Sequence, residues 1–188
     1  MSLTPLDKNS IRSSFDRAAS SYDHHAVLQR EIESRLLERL EFQRHEPSVI
    51  LDLGCGTGSA SRTLAGQYPQ AGVIALDWAP AMLAKVGVCQ NPVGGLNALC
   101  ADMHSLPLAA RSTDLVFSSL ALQWANDVGA AMAEFRRILK PGGLLIFSTF
   151  GPDTLKELRA SWQQVDEAVH VNEFIDMHNI GDGLLQGG

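Results

Sequence analysis

The chain has 188 residues, 45% hydrophobic and 19% charged, proportions of a single globular domain with a real core; a disordered, collagenous or coiled-coil chain is excluded. A net charge of -6 with no offsetting basic block argues against duplex nucleic acid as a partner. Neither a membrane span nor a secretory signal is expected, and three cysteines without CxxC spacing fit a reducing cytoplasm better than a disulfide framework or a zinc knuckle.

In chain order, Asn9 to Asp23 is polar with isolated aromatics, Phe15 and Tyr22. His24 to Arg44 reads as one long helix: Leu28, Ile32, Leu36 and Leu40 recur every four residues beside Leu37, and Pro47 closes the segment. Five apolar runs follow, Val49 to Leu53, Val73 to Leu76, Leu96 to Ala101, Leu115 to Ser119 and Leu144 to Thr149. Helical stretches separate most of them, and Val128, Met132, Phe135 and Leu139 mark the clearest, stopped by Lys140-Pro141-Gly142-Gly143. This alternation predicts βαβ units and a parallel sheet covered on both faces. Beyond Phe150 the pattern is helical again, with Asp153 as a candidate N-cap and Leu155, Leu158 and Trp162 on one face; a last segment runs from Val171 to Leu185. The expected organisation is one domain over 1–188: a helical cap at about 9–46, a core at about 47–150, and C-terminal helices at about 151–188.

The first strand runs directly into Gly54-Cys55-Gly56-Thr57-Gly58, a loop whose glycines let the backbone turn sharply and approach a ligand. Placed between a strand and a helix, such a loop points to a nucleotide-type cofactor above the helix N-terminus. The dinucleotide rhythm G-x-G-x-x-G would need a glycine at position 59, which is Ser59. Asp52, just before the loop, suits a cationic ligand group such as an ammonium better than a pyrophosphate.

Asp77 ends the second run, where a carboxylate can accept hydrogen bonds from ribose hydroxyls; it also reads as a helix N-cap before Pro80. Asp102, after the third run and beside Met103, suits an adenine, the carboxylate taking the exocyclic amine; alone it reads as a turn residue. Trp124 reads as cleft lining or as core, and Arg136, Arg137 and Lys140 as a surface for an acidic partner or as cations placed at a helix C-terminus.

Asp52-Leu53-Gly54-Cys55-Gly56-Thr57-Gly58, Asp77, Asp102 and Leu139-Lys140-Pro141-Gly142-Gly143 together resemble a class I S-adenosylmethionine-dependent methyltransferase. The resemblance implies an α/β, doubly wound, Rossmann-like fold with a mainly parallel sheet in the order 3-2-1-4-5. The family's last two strands are expected to be absent, leaving the fifth strand as an apolar edge. Around the loop it implies cofactor contacts at Asp52, Gly54, Cys55, Gly56 and Gly58. Beyond the loop it implies Asp77, Trp78 and Met82, then Ala101, Asp102, Met103 and Ser119.

Several further motifs resemble the malonyl-acyl-carrier-protein O-methyltransferases of biotin synthesis. These are Phe15-Asp16-Arg17-Ala18-Ala19 with Tyr22-Asp23 and Leu28-Gln29, Leu122-Gln123-Trp124, and Gly151-Pro152-Asp153-Thr154-Leu155-Lys156-Glu157-Leu158-Arg159. His170-Val171-Asn172, Phe174-Ile175-Asp176-Met177-His178 and Ile180-Gly181-Asp182 complete the match. The resemblance implies S-adenosyl-L-methionine as cofactor and methyl transfer to the free carboxylate of a malonyl thioester, on acyl-carrier protein or coenzyme A, with no nucleic acid or membrane partner. A carboxylate is already ionised at neutral pH, so no general base is expected, only groups that orient it. Candidates are Tyr22 as an aromatic over the cofactor, Arg159 as a two-pronged clamp, and His170 and His178 as thioester or carboxylate contacts. The histidine spacing is not that of HExxH, and no metal is assigned. The competing readings are a methyltransferase acting on another small molecule, a dinucleotide oxidoreductase and a non-catalytic cofactor-binding module.

Overall fold

Apolar runs with no solvated face become inner strands, and in the computed structural model, which describes residues 6–87, 89–90, 94–166, 172 and 174–187, they lie where the sequence predicts. β1 (Val49–Leu53), β2 (Gly72–Asp77), β4 (Gly95–Cys100), β5 (Thr113–Ser119) and β6 (Leu139–Ser148) pair in parallel, and the short β3 (Cys89–Gln90) pairs antiparallel with β4. The sheet order is β3-β4-β2-β1-β5-β6.

The expected sheet is corrected here. Its parallel strands do run 3-2-1-4-5, but the sheet is not short of its last two strands: the fourth and fifth, β5 and β6, are both present and paired from Leu115 with Leu144 to Ser119 with Ser148. A sixth strand, β3, adds to the opposite edge. A two-residue strand has no periodicity to read, and it exists because the edge of β4 offers unpaired backbone groups to a returning chain.

Period-two alternation divides the core between the two faces of the sheet. Ile50, Val73, Leu115 and Phe117 pack against α3 (Val27–Glu41) and α4 (Ser59–Gln67) through Leu36, Leu37, Leu40 and Leu64. Leu51, Leu53, Leu76 and Val116 meet Met132, Phe135 and Ile138 of α6 (Val128–Ile138), with Ile180 of α8 (Met177–Gly187) beside them. No helix among the described residues is long and apolar enough to cross a membrane.

Three helical expectations change. The polar stretch before residue 23 holds α1 (Lys8–Ala18), capped by Asp7, whose carboxylate accepts the N–H groups of Asn9 and Ser10. The long helix predicted from His24 is broken at the buried Ala26 into α2 (Tyr22–His25) and α3, and only the lower part of its stripe is covered: Leu28 is 55% exposed. α7 (Lys156–Trp162) begins after a left-handed Leu155, with the Asp153 carbonyl rather than a carboxylate cap accepting the Lys156 N–H at 3.3 Å. α5 (Pro80–Leu83) completes the helices and closes the turn after β2.

Candidate functional site

The C-terminal ends of β1, β2, β4 and β5 open on one cavity of about 180 Å³, beside the point where the chain leaves β1 for strands on either side. Its floor is the glycine loop. The Gly54 and Cys55 N–H groups both donate to the Leu76 carbonyl, at 2.8 and 3.0 Å, which ties the loop to β2. Gly54 has φ +73°, and a Cβ there would lie 2.3 Å from the Ala121 Cβ, so only glycine fits. Gly56 donates its N–H to Asp77 Oδ2 at 2.9 Å, and Arg62 donates to the Thr57 and Val86 carbonyls from the helix that follows. These bonds fix the loop backbone at the base of the cavity.

Asp77 is both cap and cavity residue. Its Oδ1 accepts the Ala79 N–H at 2.8 Å ahead of Pro80, its Oδ2 takes Gly56, and the residue still lines the cavity. With the Trp78 N–H also turned to it, the carboxylate still keeps acceptor capacity beyond its backbone donors. Burial pushes its carboxyl up, against the pull of the backbone donors.

Asp52 is placed differently. On the β1 face shared with Ile50 it points toward α4, where Ser61 Oγ donates to it, and it is 2% exposed and absent from the cavity lining. Burial raises it to about 7, and the Cys55 thiol above it is pushed up for the same reason.

The N-terminal helices form the upper wall. Thr57 donates to the Asp23 carboxylate at 2.6 Å, drawing α2 onto the loop, and the Tyr22 ring lies over Gly56. Burial and the nearby Asp77, Glu33 and Asp23 carboxylates push the Tyr22 phenol above its ordinary value, so it stays an O–H donor at neutral pH. Phe15 of α1 meets Trp124 edge-on, ring centres 5.4 Å apart, and Asp16 accepts the Ala81 N–H. Trp78, Met82 and Met103 supply further apolar wall.

Asp102 also reaches the cavity, but its oxygens are already engaged. Lys8 donates to Oδ2 at 2.7 Å, and the His104 backbone and ring meet Oδ1 at 2.9 and 2.6 Å. Burial raises its carboxyl, but the Lys8 and His104 contacts outweigh burial and hold it down at about 2.

Of the residues singled out from the sequence, the structure brings Tyr22, Gly54, Cys55, Gly56, Asp77 and Trp78 to this cavity, together with Met82, Ala101, Asp102, Met103 and Ser119. Gly58 lies at the head of α4 against Val86, outside the lining. Arg159 is elsewhere: its guanidinium donates to the carbonyls of Pro152, Thr154 and Asn172 and lies over the Phe174 ring. His178 is exposed and bonded to Asp176, and His170 lies outside the described residues. Of the three cations read as a surface for an acidic partner, Arg137 is paired with Glu134 and Lys140 with Asp114. Among the described residues no three His, Cys, Asp or Glu side chains gather as a metal site.

Sequence reasoning missed Arg30 and Glu33 of α3 and His104 as cavity residues, and Lys8 as the partner of Asp102. Helical spacing does place Ala26, Arg30 and Glu33 on one side of a helix, but nothing in the sequence says which side faces the loop.

A family model described as a methyltransferase domain matches residues 51–147, from β1 through most of β6. The chain belongs to this methyltransferase family. The chain is 52% identical over 189 residues to a protein of Methylovorus sp. (strain MP688) named malonyl-[acyl-carrier protein] O-methyltransferase, a match covering 97% of this chain and 64% of that protein. A protein of the same name from Laribacter hongkongensis is 51% identical over 190 residues, with the same two coverages. The chain therefore spans about two thirds of the length of these curated relatives. Among solved structures, an S-adenosylmethionine-dependent methyltransferase from Mesorhizobium loti superposes with a TM-score of 0.64 at 26% identity, over 82% of this chain and 79% of the other. Haemonchus contortus phosphoethanolamine N-methyltransferase 2 shares the fold at TM-score 0.65 and 19% identity, over 83% of this chain and 36% of the other.

Proposed function

We propose that this methyltransferase binds S-adenosyl-L-methionine in the cavity above the glycine loop and esterifies the free carboxylate of a malonyl thioester, giving a methyl ester that serves as a primer for chain elongation in biotin synthesis. The observation that carries the cofactor reading is the meeting of a ligand-ready loop with the buried Asp77 carboxylate, under apolar walls from Trp78, Met82 and Met103. This donor set fits a nucleoside with a cationic tail: Asp77 has lone pairs for ribose hydroxyls, the glycine loop exposes backbone, and the wall residues offer flat and polarisable surface. When bound, the cofactor supplies an electrophilic methyl group on a sulfonium. The substrate reading is supported by the malonyl-[acyl-carrier protein] O-methyltransferases that are about half identical to this chain.

The protein's own residues have a limited task. A carboxylate needs no proton removed at neutral pH, so the site must orient and desolvate it. Tyr22, held protonated and lying over the loop, is the hydrogen-bond donor placed for that work. Phe15 and Trp124 exclude water at the mouth. In this reading the helical cap at about 9–46, the core at about 47–150 and the segment beyond act as one domain, acyl-carrier protein or coenzyme A presents the malonyl group, and the compartment is the cytoplasm.

The deciding experiment is transfer of radiolabelled methyl from S-adenosylmethionine to malonyl-carrier protein by the full-length enzyme, yielding a base-labile ester. No ester from an enzyme that binds S-adenosylhomocysteine would overturn the substrate, and binding of NADH in its place would overturn the cofactor. Asp77→Ala is expected to weaken S-adenosylhomocysteine binding about 10-fold or more, through loss of the ribose acceptor and of the Gly56 anchor.

A further inference from the structure

The geometry points to Arg30 as the residue that recognises the negative charge of the substrate; this rests on the carboxylate-methylation reading above. The cavity is lined by the acids Asp23, Glu33, Asp77 and Asp102, a setting that welcomes a cation and repels an anion. An anionic substrate needs a counter-charge inside this wall. Among the described residues Arg30 is the only arginine or lysine that lines the cavity.

The neighbouring cations are committed elsewhere. Lys8 and His104 are bound to Asp102, Arg62 lies on the Thr57 and Val86 carbonyls, and Arg159 is fastened to three carbonyls away from the cavity. Arg30 differs from these. Its Nη1 donates to the backbone carbonyl of Asp23, a neutral partner, and no ion pair to it exists among the described residues. That bond holds the guanidinium at the carbonyl of Asp23, the residue after Tyr22, whose ring lies over Gly56, and uses one of five N–H donors. The remaining donors form the planar fork that matches a carboxylate. Arg30 is exposed, at the rim where a carrier-borne group would enter.

Such a contact selects for charge and also favours turnover. An acetyl thioester has no carboxylate for the guanidinium fork, and a methyl ester has lost the charge that held the substrate.

The test measures binding of malonyl- and acetyl-carrier protein to the full-length enzyme saturated with S-adenosylhomocysteine, for wild type, Arg30→Gln and Arg30→Lys. Wild type is expected to prefer the malonyl form, and Arg30→Gln to lose about 10- to 100-fold of that preference. Arg30→Lys should retain part of it, KM should rise more than kcat falls, and S-adenosylhomocysteine affinity should stay within about twofold, less than one charge-assisted hydrogen bond is worth. Arg30→Gln that keeps the full preference would overturn the assignment. So would parallel loss of malonyl and S-adenosylhomocysteine binding, which would leave Arg30 only as a brace for the Asp23 carbonyl. A wild type that binds S-adenosylhomocysteine yet does not distinguish malonyl from acetyl would instead overturn the carboxylate reading itself.

Discussion

Gly54→Ala and Gly56→Ala place the same methyl group two residues apart in one loop, yet they should differ in cost. Both sites have positive φ, +73° and +54°, so each alanine incurs left-handed strain of about 1–2 kcal/mol. At Gly56 the nearest heavy atom to the added Cβ is the Tyr22 ring at 3.9 Å, an ordinary contact, and the cost stops there. At Gly54 the new Cβ would lie 2.3 Å from the Ala121 Cβ. Ala121 sits at the corner between β5 and the 3-10 turn Leu122–Trp124, and that corner must move by more than 1 Å to restore van der Waals distance. Overpacking of this kind costs about 1–3 kcal/mol more. Urea unfolding should therefore show Gly54→Ala losing about 2–5 kcal/mol and Gly56→Ala about 1–2. Combining Gly54→Ala with Ala121→Gly removes the opposing methyl and should recover most of the difference. Equal losses for the two single variants, or no recovery in the double variant, would refute the account of the loop as closed by contact with Ala121.

Asp52 predicts a pH dependence with a definite sign. Its folded-state value is raised from about 3.8 to about 7, so folding is unpenalised below about pH 4 and loses stability as pH rises through 7, by up to about 4 kcal/mol. Asp52→Asn keeps an acceptor for Ser61 and removes the ionisation, so wild type should fall relative to it between pH 4 and 8 in urea unfolding; parallel pH profiles would sink the assignment. Asp102 behaves in the opposite sense. Held down at about 2, it contributes stability that is present above pH 4 and lost as pH falls toward 2. Lys8→Met should raise the Asp102 value in a carboxyl NMR titration and flatten that acid limb. The side chains are 35% and 38% exposed, so solvent screening keeps the change below about 1 kcal/mol. An unmoved Asp102 titration would show that Lys8 does not set it.

The cofactor side of the site was more legible than the substrate side because its signals are local. A strand, a glycine loop and an acid at the next strand tip are each short patterns, and the parallel sheet brings their ends to one place. Asp52 shows where local reading stops: alternation along β1 turns it toward α4 and Ser61, although it adjoins the loop in sequence. Arg159 carries the right chemistry for a clamp, but the segment after β6 folds back on it and occupies its donors with carbonyls.

By itself the sequence determined the elements whose cause is near-neighbour physics: the apolar runs that become the parallel strands, the turn at Gly54, and the carboxylates at the strand ends. Only the tertiary structure decided the rest. The break at Ala26, the descent of α2 onto Thr57, the pairing of Lys8 with Asp102 across 94 positions, and the presence of Arg30 at the cavity rim depend on contacts between segments far apart in the chain. A residue's type sets what it can bind, but its partner is whichever group packing brings within about 3 Å, and periodicity cannot supply that distance.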